Sequence, residues 1–97
     1  MAKRLKITSR AWLDLRDMVA YISKDNPTAA DRVGAELLNR AEPLVRFPEL
    51  GKRVSGKTDI RVLVQRPILI FYRVEHETVR ILRFWHSSRD PRSLRFD

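Results

Sequence analysis

Three segments decide the fold: Ile60-Arg-Val-Leu-Val64, Ile68-Leu-Ile-Phe-Tyr-Arg-Val74 and Val79-Arg-Ile-Leu-Arg-Phe-Trp-His86. Each is rich in β-branched and aromatic residues, and turn formers separate them, so they read as three strands. Pairing Val74 with Val79 across Glu75–Thr78 sorts their side chains, because successive residues of a strand point to opposite sides. Ile68, Ile70, Tyr72, Val74, Val79, Ile81, Arg83 and Trp85 then share one face, and Leu69, Phe71, Arg73, Arg80, Leu82, Phe84 and His86 share the other. A three-residue loop Gln65–Pro67 adds Ile60, Val62 and Val64 to the first face and Arg61 and Leu63 to the second. Both faces are apolar, so both need cover, but only the second carries several arginines and a histidine.

Upstream, Lys3–Thr8 alternates basic residues with Leu5 and Ile7 and reads as an edge strand, where lysines discourage further pairing. Ser9 is placed to cap a helix whose apolar stripe is Trp12, Leu15, Val19 and Ile22. Asn26-Pro27 starts a second helix with the stripe Ala30, Val33, Leu37, Ala41 and Leu44. Pro43 falls inside that stripe and predicts a kink or a loosened last turn. The short connection between the helices predicts an antiparallel hairpin that needs a sheet to cover. Glu49–Asp59 shows no periodicity and reads as a loop.

The chain has 97 residues, 43% of them hydrophobic and 33% charged, enough for one core and a single domain over residues 1–97. No run approaches the ~20 apolar residues of a membrane-spanning helix. Cysteine is absent, and Met1–Ile7 holds no apolar core of signal-peptide length, so the cytoplasm is the expected compartment and no membrane is involved. A net charge of +8 favours an anionic partner, either nucleic acid or an acidic protein.

His76 and His86 are the only histidines, and no ligand spacing surrounds them, so neither a metal nor another cofactor is expected. Gly51-Lys-Arg-Val-Ser-Gly56-Lys57-Thr58 matches the Walker A spelling, but it leads into a strand where a phosphate loop opens a helix, and the match reads as coincidence. Arg61, Arg73 and Arg80 share the second face with Phe71, Phe84 and His86, an arrangement suited to phosphates and bases. Metal-free RNA cleavage would take His86 as acid or base and Arg61 or Arg73 as the clamp on the phosphate.

The order and spacing of these elements resemble the toxins of the RelE/ParE superfamily from bacterial type II toxin–antitoxin systems. The resemblance is carried by Tyr21-Ile22, Asn26-Pro27 with Ala29-Ala30, Leu44 to Phe47-Pro48 with Gly51-Lys52-Arg53, and Asp59-Ile60-Arg61. It continues through Phe71-Tyr72-Arg73-Val74, Ile81-Leu82 and the final His86-Ser-Ser-Arg-Asp-Pro91, which is most similar to the ParE branch. It implies two antiparallel N-terminal helices on a twisted antiparallel sheet, in the order β-α-α-β-β-β. It also implies a toxin neutralised by a cognate antitoxin. RelE-like members cut mRNA in the ribosome, whereas ParE-like members are described as poisoning DNA gyrase. The chain lacks the tyrosine that many RelE-like enzymes keep near the C-terminus, so gyrase is the favoured target, the ribosome and its mRNA the alternative, and a basic nucleic-acid-binding module the third reading.

The expected fold is α+β, with Trp12, Leu15, Val19, Val33, Leu37, Ile68, Ile70, Tyr72 and Ile81 in the core. The second face would then stay open, since a six-residue tail is too short to mask it. Leu63, Leu69, Phe71, Leu82 and Phe84 are the expected antitoxin-binding residues, for a segment apolar on one side and acidic on the other. Arg80, Arg83 and Arg89 are the expected contacts with the target.

Overall fold

A computed structural model describes residues 3–57 and 59–96. Its elements are β1 (Arg4–Ile7), α1 (Ser9–Ser23), α2 (Pro27–Ala41), a 3-10 turn (Glu42–Val45), β2 (Lys52–Arg53), β3 (Ile60–Gln65), β4 (Ile68–Val74), β5 (Thr78–His86) and a second 3-10 turn (Pro91–Ser93). The sheet runs β1-β5-β4-β3-β2. Its β2–β5 pairs are antiparallel, but β1 lies parallel to β5, so the sheet is mixed where an antiparallel one was expected. A parallel pair needs a long crossover, and everything between the two strands supplies it. The two-residue β2 lies in the stretch read as a loop, because a strand with only two pairings, Lys52 with Val62 and Arg53 with Arg61, leaves no pattern in the sequence.

Thr8, not Ser9, caps α1, its hydroxyl accepting the Ala11 N–H at 3.1 Å. The buried line of α1 runs through Ala11 and Leu15 with Met18 and Val19 beside them, which leaves Trp12 48% exposed and outside the core. Ala11 is fully buried, and its small side chain lets the helix sit close to the sheet, whereas the Trp12 indole would hold it off. Asn26 caps α2 by accepting the Ala29 N–H at 3.0 Å, with Pro27 in the first turn. The α-helix stops at Ala41, and Pro43 lies in the 3-10 turn that follows, the loosened turn its missing N–H imposes.

Two departures from regular pairing set the faces of the sheet. Gln65 pairs with Ile68, so only Arg66 and Pro67 form the loop, one residue fewer than expected. That step turns Leu63 and Arg61 toward the helices and Ile60, Val62 and Val64 away from them. In β5, Phe71 pairs with Arg83 and Tyr72 with Ile81, leaving Leu82 as an extra residue in a bulge. Beyond it Phe84 and His86 join the helix side, while Arg83 and Trp85 join the other, the reverse of the strict alternation.

The larger core therefore gathers Leu15, Leu37, Leu44, Leu63, Ile68, Ile70, Tyr72, Val79, Ile81 and Phe84 beneath the helices, with Val19 and Val33 packed at its margin. A second cluster, Ile60, Phe71, Leu82 and Trp85, lies on the far side under Leu94 and Phe96 of the tail. The Phe96 ring meets Phe71 edge-on at 5.2 Å. The short tail masks most of this face, against expectation, because two of its residues are large and apolar.

Candidate functional site

Leu63 and Phe84 are buried on the helix side, and Phe71 and Leu82 are buried beneath the tail. Leu69 alone of the five expected antitoxin contacts keeps partial exposure. Next to it Val64 is 48% exposed. The single open face built from all five residues does not exist, since the two-residue turn and the bulge divide it between opposite sides of the sheet.

His86, Arg61 and Arg73 are likewise separated. His86 pairs with Ile68 at one end of β4, and Arg73 stands five residues further along, ~17 Å at the usual rise per residue. Arg61 pairs with Tyr72 and faces the helices, donating to the Gly51 carbonyl at 2.8 Å. Arg73 faces the tail side, its Nε 2.9 Å from the Asp59 carboxylate at an angle that makes no hydrogen bond. No reacting atom could touch all three. The His86 Nδ1 accepts the Ser88 N–H at 3.1 Å and lies 2.7 Å from the Ser88 hydroxyl.

The expected target contacts have different surroundings. Arg80 is paired with Glu75 at 3.1 Å and is partly exposed. Arg83 is 1% exposed, held by both Asp14 oxygens at 2.7 and 2.9 Å and donating to the Arg95 carbonyl at 2.8 Å. Burial removes it from any target surface. Arg89 is exposed and its guanidinium lies 3.9 Å from the centre of the Trp85 ring.

The sequence reading missed Asp14. β1 pairs with β5 only as far as Ile81, after which Thr8 and Asp14 take over: Thr8 N–H donates to the Ile81 carbonyl, and Asp14 accepts the Phe84 N–H at 3.2 Å. A carboxylate between Ala11 and Leu15, at the border of the buried stripe, was the signal available. Gly51 was quoted only for its place in two motifs. Its N–H donates to the Tyr72 hydroxyl at 2.8 Å, and that hydroxyl donates to the Pro48 carbonyl at 2.7 Å. A Cβ at Gly51 would stand 2.7 Å from both the Tyr72 hydroxyl and the Val62 carbonyl, so the close approach admits only glycine. Burial pushes the Tyr72 phenol above its ordinary range, opposed by the Gly51 amide and by Arg61.

The Walker-type stretch contributes β2 and a turn with Gly56 at φ 78°, followed by no helix among the described residues; Thr58 lies outside them. An apolar cleft of about 670 Å³ lies between the helices and the far ends of β4 and β5, lined by Met18, Tyr21, Ile22, Val33, Ile68, Phe84 and His86 among others. No helix is long and apolar enough to cross a membrane among the described residues.

Residues 5–91 match the family model described as the ParE toxin of the type II toxin–antitoxin system parDE. Toxin Y4kP of Sinorhizobium fredii is 36% identical over 87 residues, 88% of each chain. Toxin RelE2 of Caulobacter vibrioides is 35% identical over 82 residues, 84% of this chain and 92% of the relative. A solved structure of the chromosomal ParDE system from P. aeruginosa superposes with a TM-score of 0.76 at 26% identity, covering 88% of this chain and 96% of that one. The chain belongs to the ParE toxin family, within the RelE/ParE superfamily of type II toxins.

Proposed function

We propose that this ParE-family toxin acts on DNA gyrase without cleaving RNA and is neutralised by a cognate antitoxin. The observation that carries the reading is the dispersal of His86, Arg61 and Arg73, since acid–base cleavage needs its groups within hydrogen-bond reach of one substrate. His86 is separated from Arg73 by most of β4. Arg61 is committed to the Gly51 carbonyl. The similarity to a ParDE system supports an antitoxin partner, and the cleft beside Tyr21 and Ile22 is the apolar surface offered to it in place of the buried Phe71 and Leu82. Of the five residues expected to bind the antitoxin, Phe84 alone lines that cleft, and Leu69 faces the tail side of the sheet. Arg89 is the remaining exposed arginine of the three proposed for the target.

Two assays on the purified toxin test this together: gyrase supercoiling and ribosome-programmed mRNA cleavage. Supercoiling is expected to be inhibited equally by the parent and His86→Ala, with mRNA left intact by both. Cleavage that disappears in His86→Ala, with supercoiling untouched, would establish the endonuclease instead.

A further inference from the structure

At the end of β5 the chain turns sharply through His86–Arg89, and three hydrogen bonds fix the turn. The Ser87 N–H donates to the Pro67 carbonyl at 2.8 Å, the Arg89 N–H to the His86 carbonyl at 3.0 Å, and the Ser88 N–H to His86 Nδ1 at 3.1 Å. An amide only donates, so Nδ1 keeps its lone pair there and the ring proton of the neutral imidazole sits on Nε2. The Ser88 hydroxyl, 2.7 Å from the same nitrogen, therefore directs its proton at Nδ1. A nucleophile within hydrogen-bond reach of a base is the pairing on which acyl transfer depends. Both side chains line the 670 Å³ cleft, together with Arg89 and the apolar Met18, Tyr21, Ile22 and Phe84, and Ser88 stands at an exposed position.

We propose that Ser88 and His86 hydrolyse esters of small apolar carboxylic acids, with the acyl group seated in the cleft. Ser88 Oγ attacks the carbonyl carbon while its proton passes to His86 Nδ1. Once protonated, Nδ1 no longer accepts, so the Ser88 N–H is released as negative charge gathers on the carbonyl oxygen and becomes a donor to that oxygen. The Arg89 guanidinium, on the same cleft, adds a positive charge. The carbon–oxygen bond to the alcohol then breaks, and the alcohol leaves with the proton from Nδ1. Water, deprotonated by the same nitrogen, attacks the acyl group on Ser88 and releases the acid, so one ester and one water give one acid and one alcohol. The cleft volume falls within the roughly 300–1,000 Å³ of small-molecule pockets, and its chiefly apolar lining favours an apolar acyl group. The proposal depends on neither gyrase nor RNA being the target.

Hydrolysis of p-nitrophenyl butyrate by the whole chain tests the proposal, and turnover faster than in buffer is expected. Ser88→Ala and His86→Gln should each lower kcat/KM at least ~100-fold. Ser88→Thr keeps a hydroxyl and the amide and should recover at least ~10-fold over Ser88→Ala. His76→Gln removes the other histidine, exposed in the turn before β5, and should stay within about 2-fold of the parent, which separates the pair from hydrolysis by any surface imidazole. A fluorophosphonate probe, losing fluoride as the phosphorus–oxygen bond forms, should attach to Ser88 of the parent and leave both Ser88→Ala and His86→Gln unlabelled, as peptide mass spectrometry would read. If Ser88→Ala loses its circular-dichroism signature, the attachment site on the parent decides instead. Turnover no faster than buffer, full activity in a folded Ser88→Ala, an equal loss in His76→Gln, or a probe attached to another residue would each overturn the proposal.

Discussion

Thr78–Ile81, the first half of β5, runs between β1 and β4 with a ladder on both edges, whereas Leu82–His86 has β4 on one edge and side chains of the helix side on the other. The first half is held by apolar contact: Val79 and Ile81 are fully buried under the helices. The second half depends on one ion pair, in which Arg83 grips Asp14 of α1 and the carbonyl of Arg95 in the tail. Where a third strand stops, a charged side chain does the work of the ladder, and it ties helix, sheet and tail together at one point.

Cutting that tie should give the largest effect. Asp14→Ala leaves the Arg83 guanidinium buried without its carboxylate, with an expected loss of about 3–5 kcal/mol in urea unfolding. Adding Arg83→Met should restore most of it, because a buried pair replaced by apolar groups is often close to neutral. In the other half, Ile81→Ala should cost about 2–4 kcal/mol through the cavity it leaves, with no rescue by Arg83→Met.

Tyr72, the partner of Ile81, sharpens the contrast through its hydroxyl. Tyr72→Phe strands the Gly51 N–H and the Pro48 carbonyl, with an expected cost of about 1–3 kcal/mol. The folded phenol ionises above the unfolded one, so its stabilising contribution is complete below the unfolded value near pH ~10 and is lost as pH rises beyond it. The parent should therefore lose stability above that pH while Tyr72→Phe loses less, as thermal melts across the alkaline range would register. The smallest effect belongs to Arg89→Ala, about 0.5–1 kcal/mol from the lost stack on Trp85, seen also as a shift in tryptophan emission.

The elements themselves were legible because each has a local cause: the Asn26-Pro27 start, the Pro43 break, and the alternation of β4. The helix-facing set Ile68, Ile70, Tyr72, Val79 and Ile81 followed from that alternation, since it lies between the two irregularities. Past either irregularity the reading failed. A turn of two residues or three, or a bulge of one, changes no hydrophobic content, and where both faces are apolar the pattern carries nothing to detect the slip. Leu63, Phe84, Arg83 and Trp85 were exchanged between faces for that reason alone. The candidate site suffered most, because it was assembled from residues on both sides of both irregularities.

Cysteine is absent from the chain, so single thiols can report this exchange of faces without background. The most direct test compares maleimide labelling of Leu63→Cys, at a position 4% exposed, with Val64→Cys, at one 48% exposed. The thiol at 64 should react at least ~100-fold faster, since the one at 63 must wait for local opening of the core. Faster labelling at 63 would return Leu63 to the open face and Arg61 with it to the side of Arg73, undoing the division that the two-residue turn makes.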